Sequence, residues 1–301
     1  SGRYGPRLDE SYFYIAEILS RFDLIAVQEL RQGLYPLQRL QRILGSWWDY
    51  IVTDVTLGTS GNSERMAYIY DSRKVAFQSL ASEIVIPPIQ QGKKTIAPSD
   101  QLYRSPYIAA FRSGWFKFCI CTVHILYGED KANNPDRERE IKAVADILAN
   151  LQKENNDFGN NMIILGDFNI YKPTDVTFKA ITDAGFYVPQ KLQKLPSNAL
   201  KNKHYDQIAF ISEEQMATIE EANAGVFDFY KYVYKLEDEA IYAPLIGKGY
   251  LQDSKGVART DKSKTQYYKD WRTYEMSDHL VMWLELKTDF CEGYLANKAD
   301  I

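Results

Sequence analysis

The sequence predicts an α/β fold in which buried sheet is layered with outer helices, and three observations carry that prediction. Short uncharged apolar runs recur between helical patterns, the runs are too continuously apolar to be one-sided strands, and no tract of linker composition divides the chain.

Residues 9 to 22 space Ile15, Ile18, Leu19 and Phe22 at helical intervals, and Leu24-Ile25-Ala26-Val27 follows as a short apolar run. A helix therefore feeds a buried strand. Met66 to Tyr70 and Phe116 to Ile125 read as strands, the second rich in aromatic and β-branched residues. Residues 137 to 151 read as a helix with Ile141, Val144, Ala145 and Leu148 on one face, and Met162-Ile163-Ile164-Leu165 is the next buried strand. Later strands are expected at Gln207 to Ile211 and Leu280 to Leu286. Residues 235 to 275 lack a clean period and read as a long, partly ordered insertion loop. Without repeats or linkers, residues 1 to 301 read as one domain.

Composition narrows the function classes. A hydrophobic share of 45% in 301 residues supports a large core, and no stretch has the length of uncharged apolar sequence that a membrane span needs. The first twenty residues hold Arg3, Arg7, Asp9, Glu10 and Glu17 with no apolar signal core. Cys119, Cys121 and Cys291 form no disulfide framework, which leans toward a cytoplasmic setting, and they read as small buried hydrophobes. No Cys or His pair has zinc-ligand spacing. A net charge of −4 argues against a protein that coats nucleic acid, yet leaves room for an enzyme acting on one phosphodiester at a time. Residues 191 to 203 carry Lys191, Lys194, Lys201 and Lys203 without an acid, and residues 248 to 272 carry seven basic side chains against Asp253, Asp261 and Asp270. Both are candidate phosphate-facing segments, with a solvated surface as the simpler alternative.

The polar residues with chemical potential fall where the apolar runs end. Val27-Gln28-Glu29 ends one run, Leu165-Gly166-Asp167-Phe168-Asn169 another, and Thr122-Val123-His124 a third. His204-Tyr205-Asp206 and Met276-Ser277-Asp278-His279 open two more. Strand ends on one edge of a sheet converge, so five motifs can build one site, and each of the three histidines lies in one of them.

These segments, with Gly61-Asn62-Ser63-Glu64-Arg65, Arg104-Ser105-Pro106, Tyr205-Asp206-Gln207-Ile208 and Val27-Gln28-Glu29-Leu30-Arg31, resemble the endonuclease/exonuclease/phosphatase superfamily in its deoxyribonuclease I-like branch. The resemblance covers nearly the whole chain. It implies a four-layered α/β sandwich, two facing mixed β-sheets flanked by helices. It also implies Glu29 and Asp278 as direct or water-mediated ligands of a divalent metal; oxygen donors with water and phosphate suit Mg²⁺ or Mn²⁺, with Ca²⁺ as a structural ion. His279 is implied on the attacking-water side, oriented by Asp206, with Asp167 beside the same water. His124 is implied on the leaving-group side, paired with Glu64. Asn169 would donate to a phosphate oxygen, and Arg31 and Arg104 resemble phosphate-contacting arginines.

The pattern departs from the family at its start. The family begins with a strand ending in a metal-binding Asn, whereas no Asn precedes Asn62 here. The expectation is a sandwich lacking its first strand, either because that strand lies outside these residues or because another segment fills its edge.

The same residues serve nucleases, inositol polyphosphate phosphatases and sphingomyelinases, so the reaction is better defined than the substrate. Arg31 after Gln28-Glu29-Leu30, Val226-Phe227-Asp228-Phe229 and the lysine segments favour DNA over RNA and a nuclease over the other two; no membrane or protein partner is inferred. A catalytically weak family member acting as a binding module is the competing class. Tyr250, Tyr267, Tyr268, Trp271 and Tyr274 would either pack the 235 to 275 segment onto the domain, the reading preferred, or form a stacking platform for bases.

Overall fold

The computed structural model describes residues 4–55, 64–91, 94–96, 101–154, 161–211 and 219–289. Along the chain, α1 (Asp9–Leu19) leads into β1 (Leu24–Arg31), then α2 (Tyr35–Leu44), β2 (Trp48–Val52), β3 (Glu64–Asp71) and β4 (Ala76–Glu83). The short pair β5 (Ile89–Gln91) and β6 (Lys94–Ile96) precedes β7 (Tyr107–Ser113), β8 (Phe116–His124), α3 (Pro135–Glu154) and β9 (Met162–Asp167). The last part holds α4 (Val176–Asp183), α5 (Gln190–Gln193), β10 (Asp206–Ile211), β11 (Ile219–Phe227), α6 (Glu239–Ile246), α7 (Lys248–Leu251), α8 (Asp261–Glu275) and β12 (Val281–Leu286).

The main sheet has five strands in the order β10-β9-β8-β7-β4. Only β8 and β9 run parallel in it, because α3 carries the chain back across the sheet between them. Side chains of β8 alternate between two cores, as a strand buried on both faces requires. Cys119, Cys121 and Val123 pack with Ile141, Val144 and Leu148 of α3. Phe116, Phe118 and Ile120 pack instead with Tyr68 of β3 and Phe111 of β7. The two cysteines are free and fully buried, as their composition suggested, and burial pushes the Cys119 thiol up to about 11. Cys291 lies outside the described residues.

A second layer of sheet faces the first. It comprises β1-β3-β2, antiparallel throughout, and the separate antiparallel pair β11-β12. Its outer side is closed by α1 and α2, with Ala16, Leu19, Leu37 and Leu44 against Trp48, Ala67 and Ile69. Helix, sheet, sheet, helix is the four-layered arrangement expected. Among the described residues no strand precedes α1, and no strand pairs with the second edge of β1 or of β12.

The segment 235 to 275 is not a loop. It folds into a 3-10 turn, α6, α7 and α8, with Tyr267, Tyr268 and Trp271 buried at one to four residue intervals on α8. The helical period was hidden because its buried face is made of tyrosines, which score as half-polar in a sequence but bury well once the hydroxyl is bonded. Tyr268 donates to the Lys235 carbonyl at 2.9 Å and Tyr250 to Glu239 at 2.8 Å. Thr260 caps α8 by accepting from Ser263 N. These aromatics pack the segment onto the domain, as preferred over a base-stacking platform. Two of the basic residues there serve the same end: Arg259 donates to the Gly249 carbonyl and lies over Tyr267, and Arg272 donates to the Tyr234 carbonyl and lies over Tyr230.

Candidate active site

Strand register delivers the first three residues. His124, the last residue of β8, is opposite Asp167 across the parallel pair, and Asp167 is opposite Asp206 across the antiparallel one. Neighbouring strands lie about 4.8 Å apart, so three consecutive strand ends place three titratable groups in one row. Gly166 makes the approach possible. Its φ is +127°, and a Cβ there would stand 2.2 Å from the Val123 carbonyl oxygen.

Beyond Asp167 the chain turns through Asn169, whose φ of 53° is stabilised by its own N–H donating to Asp167 Oδ1 at 2.8 Å. Asn169 is buried and its side-chain amide donates to the Ile125 carbonyl at 2.8 Å, leaving one of the two amide hydrogens for any phosphate.

Glu29 arrives by a different device. The pairing of β1 with β3 shifts register between Val27 and Leu30, and Glu29 sits in the bulge with φ 60°. Its carboxylate is 59% exposed and lies 3.7 Å from His124 Nε2. Gln28 holds the same strand end to the main sheet by donating to the buried Thr122 hydroxyl at 2.6 Å.

On one flank of the row, Glu64 at the start of β3 lies 3.3 Å from His124 Nδ1 and accepts from Arg104 Nε at 3.0 Å. Burial raises the Glu64 carboxyl, but the adjacent His124 imidazole and the Arg104 charge outweigh it and hold the group below the usual carboxylate range. Gly61, Asn62 and Ser63 of the same motif lie outside the described residues.

On the other flank, His279 Nδ1 and Asp206 Oδ2 are 2.8 Å apart, and His279 Nε2 is 3.8 Å from Asp167 Oδ2. Burial works against a charged imidazole there, but the facing Asp206 and Asp167 carboxylates raise it to about 11. Burial pushes Asp167 the other way for an acid, up to about 6, with His279 opposing and Asp206 adding to the rise. Asp167 Oδ2 is also 3.7 Å from His124 Nε2, so it stands between the two imidazoles.

Ser197, Ala199, Tyr127, Tyr171 and Tyr230 position the site without having carried a signal in the sequence, whereas Tyr205 lies in a motif read there. Ser197 accepts from Asp206 N at 2.9 Å, its carbonyl accepts from Leu280 N at 2.6 Å, and Ala199 N donates to the Asp278 carbonyl at 2.7 Å. One loop thus ties β10 to the residues ahead of β12. Tyr205 lies against the His279 ring at 5.6 Å between centroids, backed by Tyr171 and Tyr127. Tyr230 donates to the Ser277 carbonyl at 2.7 Å, linking the aromatic cluster of α8 to the site.

Not every expected residue joins the constellation. His204 is partly buried near Asp175 and makes no ion pair with the other site residues. Two lysines of the 191 to 203 run are engaged: Lys203 sits 3.0 Å over the Tyr171 ring and Lys201 bonds Asp228. Arg31 is exposed at the end of β1. Arg104 is only 11% exposed and is committed through Nε to Glu64.

Glu29 and Asp278 line one cavity together with Asp206 and His279, and both are exposed oxygen donors. That donor set fits a hard divalent cation. Among the described residues no three His, Cys, Asp or Glu side chains converge as ligands of one ion, so water and phosphate would complete the coordination, as they do around Mg²⁺.

No family model matches the chain. Among curated proteins it is similar to a deoxyribonuclease of Thioalkalivibrio sp. (strain K90mix), 28% identical over 171 residues that cover 55% of this chain and 43% of that one. The match spans less than half the length of that relative. Deoxyribonuclease gamma of Rattus norvegicus is 23% identical over 271 residues, 83% of this chain and 80% of that one. A solved endonuclease/exonuclease/phosphatase family protein from Bacteroides thetaiotaomicron aligns with a TM-score of 0.47 at 15% identity, covering 67% of this chain and 72% of that one.

Proposed function

We propose that this chain is a member of the endonuclease/exonuclease/phosphatase superfamily, in its deoxyribonuclease I-like branch, and a Mg²⁺- or Mn²⁺-dependent endonuclease that hydrolyses DNA by attack of an activated water on phosphorus. The observation that carries the reaction is the row His124, Asp167 and Asp206 on three consecutive strand ends, with His279 closing it.

In this reading the attacking water sits beside Asp167 and His279. Asp167, with its carboxyl raised to about 6, accepts the proton, because a base is most effective when its pKa lies near the working pH. Asp206 keeps His279 oriented and charged, so the imidazolium faces the phosphate. His124, aligned by Glu64 and Arg104, delivers a proton to the departing 3′ oxygen. Asn169 donates its remaining amide hydrogen to a non-bridging oxygen, and Arg31 contacts phosphate from the rim. Glu29 and Asp278 would hold a divalent cation, which would supply charge stabilisation to the phosphate.

DNA as substrate is supported by the names of both curated relatives and by Arg31 directly after Gln28-Glu29-Leu30. Supercoiled plasmid incubated with Mg²⁺ should be nicked, and EDTA or the Asp167→Ala variant should stop it. Release of phosphate from inositol polyphosphates or cleavage of sphingomyelin, with plasmid left intact, would overturn the substrate. Failure with all three would favour a binding module.

A further inference from the structure

Arg137 and Glu140 stand about one turn apart in the first half of α3, so their side chains leave the helix on one side. Both are buried, at 0% and 5% exposed. Opposite charges at that spacing ordinarily pair with each other. Among the described residues neither enters an ion pair, and each spends its polar atoms on backbone instead. Arg137 donates from Nε to the Leu126 carbonyl at 3.2 Å, from Nη1 to the Lys131 carbonyl at 3.1 Å and from Nη2 to the Tyr127 carbonyl. Glu140 accepts from Tyr103 N at Oε1 and from Leu126 N at Oε2, both at 3.0 Å.

Buried charges are costly unless their polar atoms are met, so two of them devoted to backbone mark segments whose path is held closely. One segment follows His124. Ile125 donates its N–H to the Asp167 carbonyl at 2.8 Å and accepts from Asn169 Nδ2, while Leu126 is bonded on both sides by α3. All four backbone groups of the two residues after His124 are therefore engaged. The other segment is Tyr103-Arg104, where Arg104 Nε donates to Glu64 and Glu64 lies 3.3 Å from His124 Nδ1. The contacts close a ring: Glu140 to Leu126 and His124, across Glu64 to Arg104, and through Tyr103 back to Glu140.

We propose that Glu140, assisted by Arg137, is a positioning residue that fixes where His124 stands relative to Glu64 and Arg104, and hence relative to the departing oxygen. A carboxylate suits the task because it offers two acceptor oxygens, one to each segment. Glu140 acts through the imidazole and the guanidinium it sets in place. The alignment is independent of the reaction; its service to leaving-group protonation rests on the proposed function.

The test is Glu140→Gln, which keeps the shape of the side chain but sets an amide donor against one of the two N–H donors. Two substrates are compared in Mg²⁺: supercoiled plasmid, whose 3′ oxygen takes a proton as it leaves, and bis(p-nitrophenyl) phosphate, whose nitrophenolate leaves without one. With plasmid, kcat should fall by roughly 10²-fold at unchanged KM, the effect of displacing a catalytic group by about 1 Å. With the nitrophenyl ester it should change less than ~3-fold. His124→Gln should show the same split, and Asp167→Asn a loss on both substrates. Equal losses on both substrates in Glu140→Gln, or no loss on either, overturn the proposal. Without substrate, the Arg104 Nε–H resonance should shift in the variant and exchange faster with water. Plasmid left intact by the unaltered protein sinks the nuclease reading. With either substrate uncleaved, that resonance decides alone: shifted, the positioning role stands; unmoved, it falls. Should Glu140→Gln fail to fold, both measurements pass to Arg137→Lys, which loosens Leu126 from its carbonyl side and should give the same split.

Discussion

Replacing Asp167 with Asn should make the protein more stable and nearly inactive. Asp167 is 7% exposed and its carboxyl is raised from the ordinary 3.8 to about 6, chiefly by burial. An acid whose folded pKa exceeds its unfolded one disfavours the folded state wherever it is ionised in both. The cost is complete above about pH 6, shrinks as pH falls through the window, and is gone below 3.8. That gap corresponds to roughly 3 kcal/mol at most, because each tenfold change in proton affinity is worth about 1.4 kcal/mol. Asn keeps the oxygen that accepts from Asn169 N at 2.8 Å, so the turn survives. The raised value is already net of the opposing His279 and His124 charges, so losing those contacts is included in it. The expected net is about 1–3 kcal/mol of stabilisation at pH 8, shrinking toward zero near pH 4. Urea unfolding of both proteins across pH 4 to 8, in EDTA, measures it. Plasmid nicking should fall by roughly 10²–10⁴-fold in the variant. An Asp167→Asn protein that is less stable at pH 8, or whose stability difference does not change with pH, refutes the assignment of Asp167 as a buried, costly base.

Three further outcomes follow from the geometry. Gly166→Ala places a methyl 2.2 Å from the Val123 carbonyl at a left-handed φ, so it should cost more than about 4 kcal/mol in urea unfolding or prevent folding. Asp206→Asn removes the carboxylate 2.8 Å from His279 Nδ1; the His279 proton resonance should then titrate several pH units below its unaltered value of about 11, and kcat should fall at least ~10²-fold. An unmoved titration would show that Asp206 is not what raises it. Trp271→Ala should cost about 3–5 kcal/mol with plasmid cleavage per folded molecule little changed, since Trp271 is 1% exposed at the centre of the aromatic cluster. A loss under 1 kcal/mol would return residues 261 to 275 to the status of a loosely attached loop.

What could be read directly from the chain was set by local composition. Buried strands announced themselves as uncharged runs, at Met162 to Leu165 and at Phe116 to Ile125, because a strand covered on both faces has no place for charge. The polar residues at the ends of those runs were visible for the same reason: a charge can be tolerated only where burial stops. Elements that were missed had weaker local signals. β4 is mostly exposed toward its end, so its sequence Ala76 to Glu83 lacks an apolar face, and α8 hides its buried face in tyrosines.

Sequence alone determined the layered α/β class, the apolar strands, the motif residues and the absence of an Asn before Asn62. These follow from residue types at short spacing. Only the tertiary structure decided that His124, Asp167 and Asp206 stand in one row, because that depends on the register of two strand pairs, His124 with Asp167 and Asp167 with Asp206, whose partners are far apart in the chain. It alone decided that Asp167 lies between two imidazoles, that Glu29 occupies a bulge with positive φ, and that Lys201 and Lys203 are engaged within the protein.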